Sequence, residues 1–122
     1  MAEITRKELV LALIGIHEDH KPRLSGLDLS GLDLSYLNLC AADLGAANMT
    51  GCKMVGTNLN DAFLGGAILR DADLTDAYLR QAIFRGTDLR GAKLRGARTT
   101  GTVFQKCEIE GADLPEGFTQ LG

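Results

Sequence analysis

Residues 41–80 read AADLG AANMT GCKMV GTNLN DAFLG GAILR DADLT DAYLR when the chain is written in blocks of five. The fourth letter of each block is Leu or Met, and the second is Ala, Cys or Thr. A five-residue period fits neither the 3.6-residue turn of a helix nor the two-residue alternation of a strand. Each block must therefore turn the chain by a fixed angle and return its two apolar side chains to one interior.

The same pattern extends on both sides of this stretch. A large apolar residue recurs every fifth position from Leu24 to Leu114, and Thr99 alone interrupts the series. Gly or Asp opens many of the blocks, and these residue types favour turns. A chain that turns regularly while stacking on itself is a solenoid, in which each coil covers the apolar edge of the next.

The blocks AADLG, AANMT, DADLT and GADLP resemble the repeat A(D/N)Lxx of the pentapeptide-repeat proteins. This resemblance covers residues 22–116. It implies an all-β fold, a right-handed quadrilateral β-helix (a β-solenoid) of about five coils, in which four blocks make one coil of 20 residues. It also implies that the central residue and the small residue two positions before it point inward. The resemblance implies nothing firm about function, because members of one fold family serve unrelated purposes.

Stacking the blocks 20 residues apart sorts them into four faces, named here by their central residues. Face one holds the blocks of Leu24, Leu44, Leu64, Phe84 and Phe104. Face two holds those of Leu29, Met49, Leu69, Leu89 and Ile109. Face three holds those of Leu34, Met54, Leu74, Leu94 and Leu114. Face four holds those of Leu39, Leu59, Leu79 and Thr99.

Both ends of a solenoid expose apolar core and unpaired strand edges, so both need covers. Residues 1–21 predict an α-helical cap, with Thr5 and Glu8 as a capping box and Pro22 as its stop. Its apolar side is predicted to comprise Leu9, Val10, Ala12, Leu13, Ile14 and Ile16. The first coil has bulk where later coils have Ala, namely Leu27, Leu32 and Leu37, which suits a docked helix. Residues 22–116 are then the β-helix, and residues 117–122 a tail that folds over the last coil.

Composition narrows the functional class. The 122 residues suit one domain, and the net charge of −3 argues against general nucleic-acid binding. The longest apolar run, residues 9–16, is too short to span a membrane, and no cleavage site for secretion follows it. Three cysteines without paired spacing suit free thiols in the cytoplasm.

The sequence predicts no enzyme, cofactor or metal site. A solid rod lacks the concave pocket in which catalytic groups converge. His17 and His20 are three residues apart but have no accompanying set of ligands. Cys52 and Cys107 fall in the inward small-residue position as core fillers, whereas Cys40 is predicted to point outward.

An apolar interaction patch is predicted on face one. Phe63, Ile83 and Val103 share its outward third position, and Ile68 and Tyr78 stand on the adjoining faces. Contiguous exposed apolar surface often marks an interface. The competing interpretation is that these residues are simply good strand formers. Glycines beside Phe63 are expected to leave room for close approach: Gly45, Gly65 and Gly66.

Two charge patterns favour a stabilising role. Opposite charges alternate along the third position of face three: Asp33, Lys53, Asp73, Lys93 and Asp113. Four successive blocks end in arginine and ring the rod: Arg80, Arg85, Arg90 and Arg95. Because a ring distributes its charge over four faces, pairing with acids of the rod is favoured, the candidates being Asp71, Asp76 and Asp88.

Together these features indicate a non-enzymatic scaffold or protein–protein interaction module. Its partner is a protein of unknown identity, or a second copy of the chain bound through face one or through a solenoid end. The alternative is a DNA mimic that acts on a DNA topoisomerase such as gyrase, as some pentapeptide-repeat proteins do. Those proteins are longer and strongly acidic, whereas no face of this chain is continuously acidic.

Overall fold

The computed structural model describes residues 4–14 and 21–122. Helix α1 spans Arg6–Ile14, strand β1 spans Ile83–Arg85 and strand β2 spans Val103–Gln105. The two strands pair in parallel, with Phe84 opposite Phe104. Both are short because a turn follows the central residue of each block.

Single-residue bridges extend this parallel pairing along the chain. The third residue of a block pairs with the third residue 20 positions later, as Asp33 does with Lys53 and Lys53 with Asp73. Such bridges begin at Arg23 and continue to Asp113. The 20-residue coil expected from the blocks is therefore the repeat of the β-solenoid.

A tight turn joins each block to the next. The amide of Ala42, for example, donates to the carbonyl of Leu39 at 3.1 Å, and Ala41 between them has a φ of +61°. This combination is typical of a type II turn, whose third residue needs a positive φ. Every block-opening residue from Gly26 to Gly111 lies in this left-handed region, and ten are glycine while eight are not.

Asp or Asn at the third position has a structural role in the same turn. Its carboxylate or amide oxygen accepts from the backbone N–H two residues later, as Asn38 does from Cys40 at 3.1 Å. That side-chain bond mimics a backbone turn and satisfies an N–H on the outside of the coil. The same bond forms at Asp28, Asp33, Asp43, Asn48, Asn58, Asp73 and Asp88.

The predicted core is confirmed. All central residues from Leu29 to Leu94 have no exposed surface, and the small residues from Ala42 to Ala92 are buried beside them. Thr99, Ile109 and Leu114, near the C-terminal end, are half-buried. Burial of one Leu side chain stabilises the fold by about 1.5–3 kcal/mol, so the repeated central position dominates the stability.

Hydroxyl and thiol groups in the small-residue position form hydrogen bonds across the interior. Thr57 donates to the carbonyl of Leu34 at 2.7 Å, and Cys52 donates to that of Leu29 at 3.0 Å. Thr87, Thr102 and Cys107 donate to carbonyls at the same separation of 23 residues. Each polar group in the core thus has a partner, which removes the cost of burying it.

Helix α1 docks on the first coil. The capping box is confirmed, because the amide of Thr5 donates to the Glu8 carboxylate at 2.9 Å and the amide of Glu8 donates to the Thr5 hydroxyl at 3.1 Å. Leu9 is only 1% exposed, and the Arg6 guanidinium donates to the carbonyls of Asp33 and Ser35. Those carbonyls belong to the open edge of the first coil, so Arg6 takes the place of a preceding coil.

The helix differs from its prediction in one respect. Val10 and Leu13 are half-buried, but Ala12 is exposed, so its inclusion in the apolar side was wrong. Helix α1 is only nine residues long, so few of its side chains can reach the first coil. Ile16, His17 and His20 lie outside the described residues.

The C-terminal residues fold back over the last coil. Leu121 forms a parallel bridge with Gln105, and the amide of Leu121 donates to the carbonyl of Phe104 at 2.8 Å. The ring of Phe104 lies 5.0 Å from that of Phe84 and 4.8 Å from that of Phe118. A column of three aromatic rings therefore closes this end of face one.

Candidate interaction surface

Three of the five predicted patch residues stack directly on one another. Phe63 forms a bridge with Ile83, and Ile83 pairs with Val103 in the β1–β2 register. Phe63 is 40% exposed, while Ile83 and Val103 are half-buried. The three side chains form a short apolar column on the outside of face one.

The expectation that glycines leave room for a partner beside Phe63 is wrong at two positions. A Cβ atom at Gly65 would collide with the Phe63 ring, and a Cβ atom at Gly45 would lie in tight contact with it at 3.0 Å, because the ring lies across both residues. The glycines therefore allow the ring to lie flat on its own coil. Gly66 remains open, since the nearest atom to a Cβ there is the backbone nitrogen of Ala46 at 4.0 Å.

Ile68 and Tyr78 lie on other ladders. Ile68 pairs with Asn48 and Asp88 on face two, and Tyr78 pairs with Asn58 and Arg98 on face four. Their side chains are 38% and 37% exposed, respectively. The structure thus brings together Phe63, Ile83 and Val103, and separates the other two from them by a turn on each side.

Tyr36 is an exposed aromatic residue that the sequence analysis did not single out. Its side chain is 77% exposed, and its ring covers Gly56 one coil later. It opens a block with a φ of +63°, which is unusual for a bulky residue. The block pattern already indicated that Tyr36 is exposed, because the first residue of every block lies at an outward corner.

The face-three ladder forms as expected, but its acids are held mainly by other groups. Partial burial acts to raise the pKa of Asp73, yet hydrogen bonds from Thr75 and the charges of Lys93 and Lys53 lower it below its usual value. Asp113 forms its ion pair with Arg95 at 2.9 Å. On this face the lysine charges therefore add to the hydrogen bonds that already hold the Asp73 carboxylate.

The arginine ring pairs only partly with the predicted acids. Asp88, whose side chain is 12% exposed, binds Arg90 at 2.9 Å and also Arg70 at 2.8 Å. Within residues 4–14 and 21–122, Asp71 and Asp76 form no ion pair with an arginine. Their carboxylates lie over Gly91 and Gly96 of the next coil instead.

The buried thiols are poor nucleophiles. Burial raises the pKa of Cys52 to about 11, and burial also raises the pKa of Cys107. The thiolate is the reactive form, so both are inert at neutral pH. Cys40 is half-buried, and all three thiols are free. In the described part of the chain, no three His, Cys, Asp or Glu side chains converge as a metal site would require.

Family comparison agrees with this geometry. The sequence profile of the pentapeptide repeats matches eight copies, in segments covering residues 23–61, 47–86 and 82–116. The chain belongs to the pentapeptide-repeat family. No curated protein matches the chain by sequence.

Solved pentapeptide-repeat structures share the fold. The protein Rfr23 from the cyanobacterium Cyanothece 51142 is 34% identical, with a TM-score of 0.71 over 75% of this chain and 61% of that one. HetL, from the cyanobacterium Nostoc, is 39% identical, with a TM-score of 0.50 over 79% and 42%. The fluoroquinolone resistance protein QnrB1 is 19% identical, with a TM-score of 0.60 over 80% and 63%, a likeness of fold alone. The chain spans less than two thirds of each of these proteins.

Among residues 4–14 and 21–122, no helix has the length and apolarity needed to cross a membrane.

Proposed function

We propose that this pentapeptide-repeat protein is a non-enzymatic, cytoplasmic interaction module with a right-handed, four-sided coil, and that it binds a protein partner through face one. The supporting observation is the column of Phe63, Ile83 and Val103, in which three outward apolar side chains stack in successive coils. Solvated positions of other faces carry mostly charged or amide side chains. An apolar column on one face alone is typical of an interface.

The position of the Phe63 ring favours binding. Because the ring lies across Gly45 and Gly65, it is already held flat before a partner arrives. Such preorganisation reduces the side-chain entropy that association would otherwise cost, about 0.5–1.5 kcal/mol for each immobilised side chain. The β-solenoid behind the ring is a rigid support, because its core is continuous from one coil to the next.

The apolar column is too small to form a standard protein interface by itself. Three side chains on one face form a small contact, well below the roughly 800 Å² per partner of a standard interface. The module is therefore expected to bind reversibly and to engage further residues beside the column. HetL is described as involved in the regulation of heterocyst differentiation, a role that a non-catalytic binding protein can fill. A regulatory binding role is our proposal for this chain as well.

Affinity capture from the source cell tests the proposal. Immobilised wild-type protein is compared with Phe63→Ser, and bound proteins are identified by mass spectrometry. Tyr36→Ser is the matched control, because Tyr36 is also an exposed aromatic whose ring covers a glycine of another coil. We expect a partner that is lost with Phe63→Ser and retained with Tyr36→Ser.

Two further measurements make the result decisive. Circular dichroism confirms that both variants retain the fold, so that lost binding reflects the surface. Sedimentation equilibrium reports whether the partner is a second copy of the chain. If capture and self-association are the same for Phe63→Ser and for wild type, face one is not the interface.

A further inference from the structure

The arginines that end a block follow a pairing rule. On faces two and three, each of them reaches the acid at the third position of the block on the same face in the next coil, 18 residues later. Arg70 binds Asp88 at 2.8 Å, and Arg95 binds Asp113 at 2.9 Å. Arg90 reaches Glu108 at 3.3 Å by the same step. These pairs occupy faces two and three of the solenoid.

Face four breaks the rule. The residue 18 positions after Arg80 is Arg98, so an arginine stands where faces two and three have a carboxylate. On face one this position holds Val103, and Arg85 donates to the side-chain oxygen of Gln105 at 2.9 Å instead. The Arg98 guanidinium lies over the Tyr78 ring, 4.3 Å from its centroid. Arg80 forms no ion pair with any residue in the described ranges, 4–14 and 21–122. Both arginines are exposed.

Face four therefore lacks the carboxylate residue that faces two and three place beside their arginines. Two like charges on neighbouring coils repel each other, which destabilises the pair relative to the mixed pairs of faces two and three. Tyr78 holds one of the two guanidinium groups in place through a cation–π contact. A carboxylate placed between them would relieve the repulsion and form charge-assisted hydrogen bonds to both.

We propose that face four binds an acidic peptide segment of a protein partner, with a Glu or Asp side chain seated between Arg80 and Arg98. That carboxylate takes the place that Asp88, Glu108 and Asp113 hold toward their arginines on the other faces. Tyr78 lines the site on one coil and pairs with Arg98 of the next, and Thr100 stands one coil after Arg80. This site is separate from the Phe63 column and does not depend on it.

The surroundings favour a peptide over a nucleic acid. Asp76 opens the block that Arg80 ends, and Asp61 opens the block one coil earlier at the next corner. Both aspartates are exposed. A nucleic-acid strand, with one phosphate per nucleotide, would be repelled by them and attracted by only two arginines. A peptide can seat one carboxylate between the arginines and turn its other side chains away from the aspartates, whereas the phosphates of a nucleic-acid strand are fixed along its backbone.

Titration with a hexaglutamate peptide tests the site, followed by the chemical shifts of backbone amides in the whole chain. We expect saturable binding that weakens with added salt, and shifts centred on Arg80 and Arg98. The variant Arg98→Asp restores the pairing rule within the chain, because Arg80 then has its own carboxylate. It should bind hexaglutamate at least tenfold more weakly and melt no lower than wild type.

Controls separate a specific site from general attraction to basic surface. Arg80→Ala should also weaken binding at least tenfold without affecting the fold, since its side chain is exposed. Arg95→Ala removes the same charge from face three and should leave the affinity unchanged. Equal loss with Arg95→Ala, or no saturable binding, would overturn the proposal.

An oligothymidylate strand of similar charge provides the comparison for nucleic acid. Tighter binding of this strand than of hexaglutamate would show that the ligand class is wrong. Phe63→Ser should leave hexaglutamate binding unchanged. The face-four proposal and the face-one proposal can therefore fail independently.

Discussion

The hydroxyl of Thr57 donates a hydrogen bond of 2.7 Å to the carbonyl of Leu34, 23 residues earlier in the chain. The same carbonyl accepts the turn bond from the amide of Leu37 at 3.3 Å. One oxygen thus joins the turn of its own coil to the interior of the next coil. The bond also explains why Thr is accepted in a position that is otherwise filled by Ala.

Replacing Thr57 with Val should lower the free energy of unfolding by about 1 kcal/mol, the usual net worth of a buried hydrogen bond. The substitution preserves shape and removes only the donor. Urea unfolding measures the change, and Thr75→Val, whose hydroxyl bonds to Asp73 at a half-buried site, is a comparison outside the core. A Thr57→Val variant as stable as wild type would show that the coil junction does not need this bond.

Two neighbouring corners provide a matched test of backbone strain. Ala46 has a φ of +56° and Gly66, one coil later, has a φ of +69°. The left-handed region costs a residue with a Cβ roughly 1–2 kcal/mol, partly offset by the entropy that Gly loses on folding. Ala46→Gly should therefore stabilise the protein and Gly66→Ala destabilise it, each by about 1 kcal/mol. Shifts of the same sign in thermal melts would contradict this explanation of the corner.

The five-residue register is tested by core and surface substitutions. Leu69 and Leu74 are fully buried, so Leu→Ala at either should cost about 2–5 kcal/mol. From the sequence, Arg70 between them is a natural neutral comparison, but its ion pair with Asp88 makes it unsuitable. Arg80→Ala should cost under about 0.5 kcal/mol. Equal losses for all three variants in urea unfolding would refute the register.

The buried thiol of Cys52 predicts a stability change in alkali. Burial raises its pKa from an ordinary value of 9.0 to about 11, so the folded state retains the proton more strongly than the unfolded state. Its contribution is complete below about pH 9 and is lost as the pH rises toward 11. Cys52→Ala should therefore flatten the decline of stability between these values. If the stability of the variant falls as steeply as that of wild type over this pH range, groups other than the Cys52 thiol cause the fall.

A supercoiling assay tests the DNA-mimic alternative. We expect no inhibition of gyrase and no protection from its inhibitors at micromolar concentration of the protein. The reason is surface charge. On face two, Asp88 and Glu108 are paired with Arg70 and Arg90, and face four presents Arg80 and Arg98, so neither face is continuously acidic. Dose-dependent inhibition, with a heat-denatured sample inactive, would favour the alternative.

The order of the residues is enough to predict the coil, its core and the start of the cap. Residues at the central and small-residue positions, such as Leu69 and Ala72, are buried in each block. Their burial stabilises the fold by several kcal/mol per coil, and no other register buries the same side chains. The capping box of Thr5 and Glu8 is equally local, since both partners lie within one helical turn. Interactions that are strong and strictly periodic, or that join residues close in the chain, can be predicted from the order of the residues.

The arrangement of the outward side chains, in contrast, depends on how the coils pack. Asp88 rather than Asp71 receives the arginines, and the Phe63 ring occupies the space above Gly65 that the sequence left open for a partner. Long side chains can choose among several neighbours one coil away, and an exposed ion pair contributes only about 0–1 kcal/mol. Differences that small depend on the distances between coils, which the five-residue period alone does not contain.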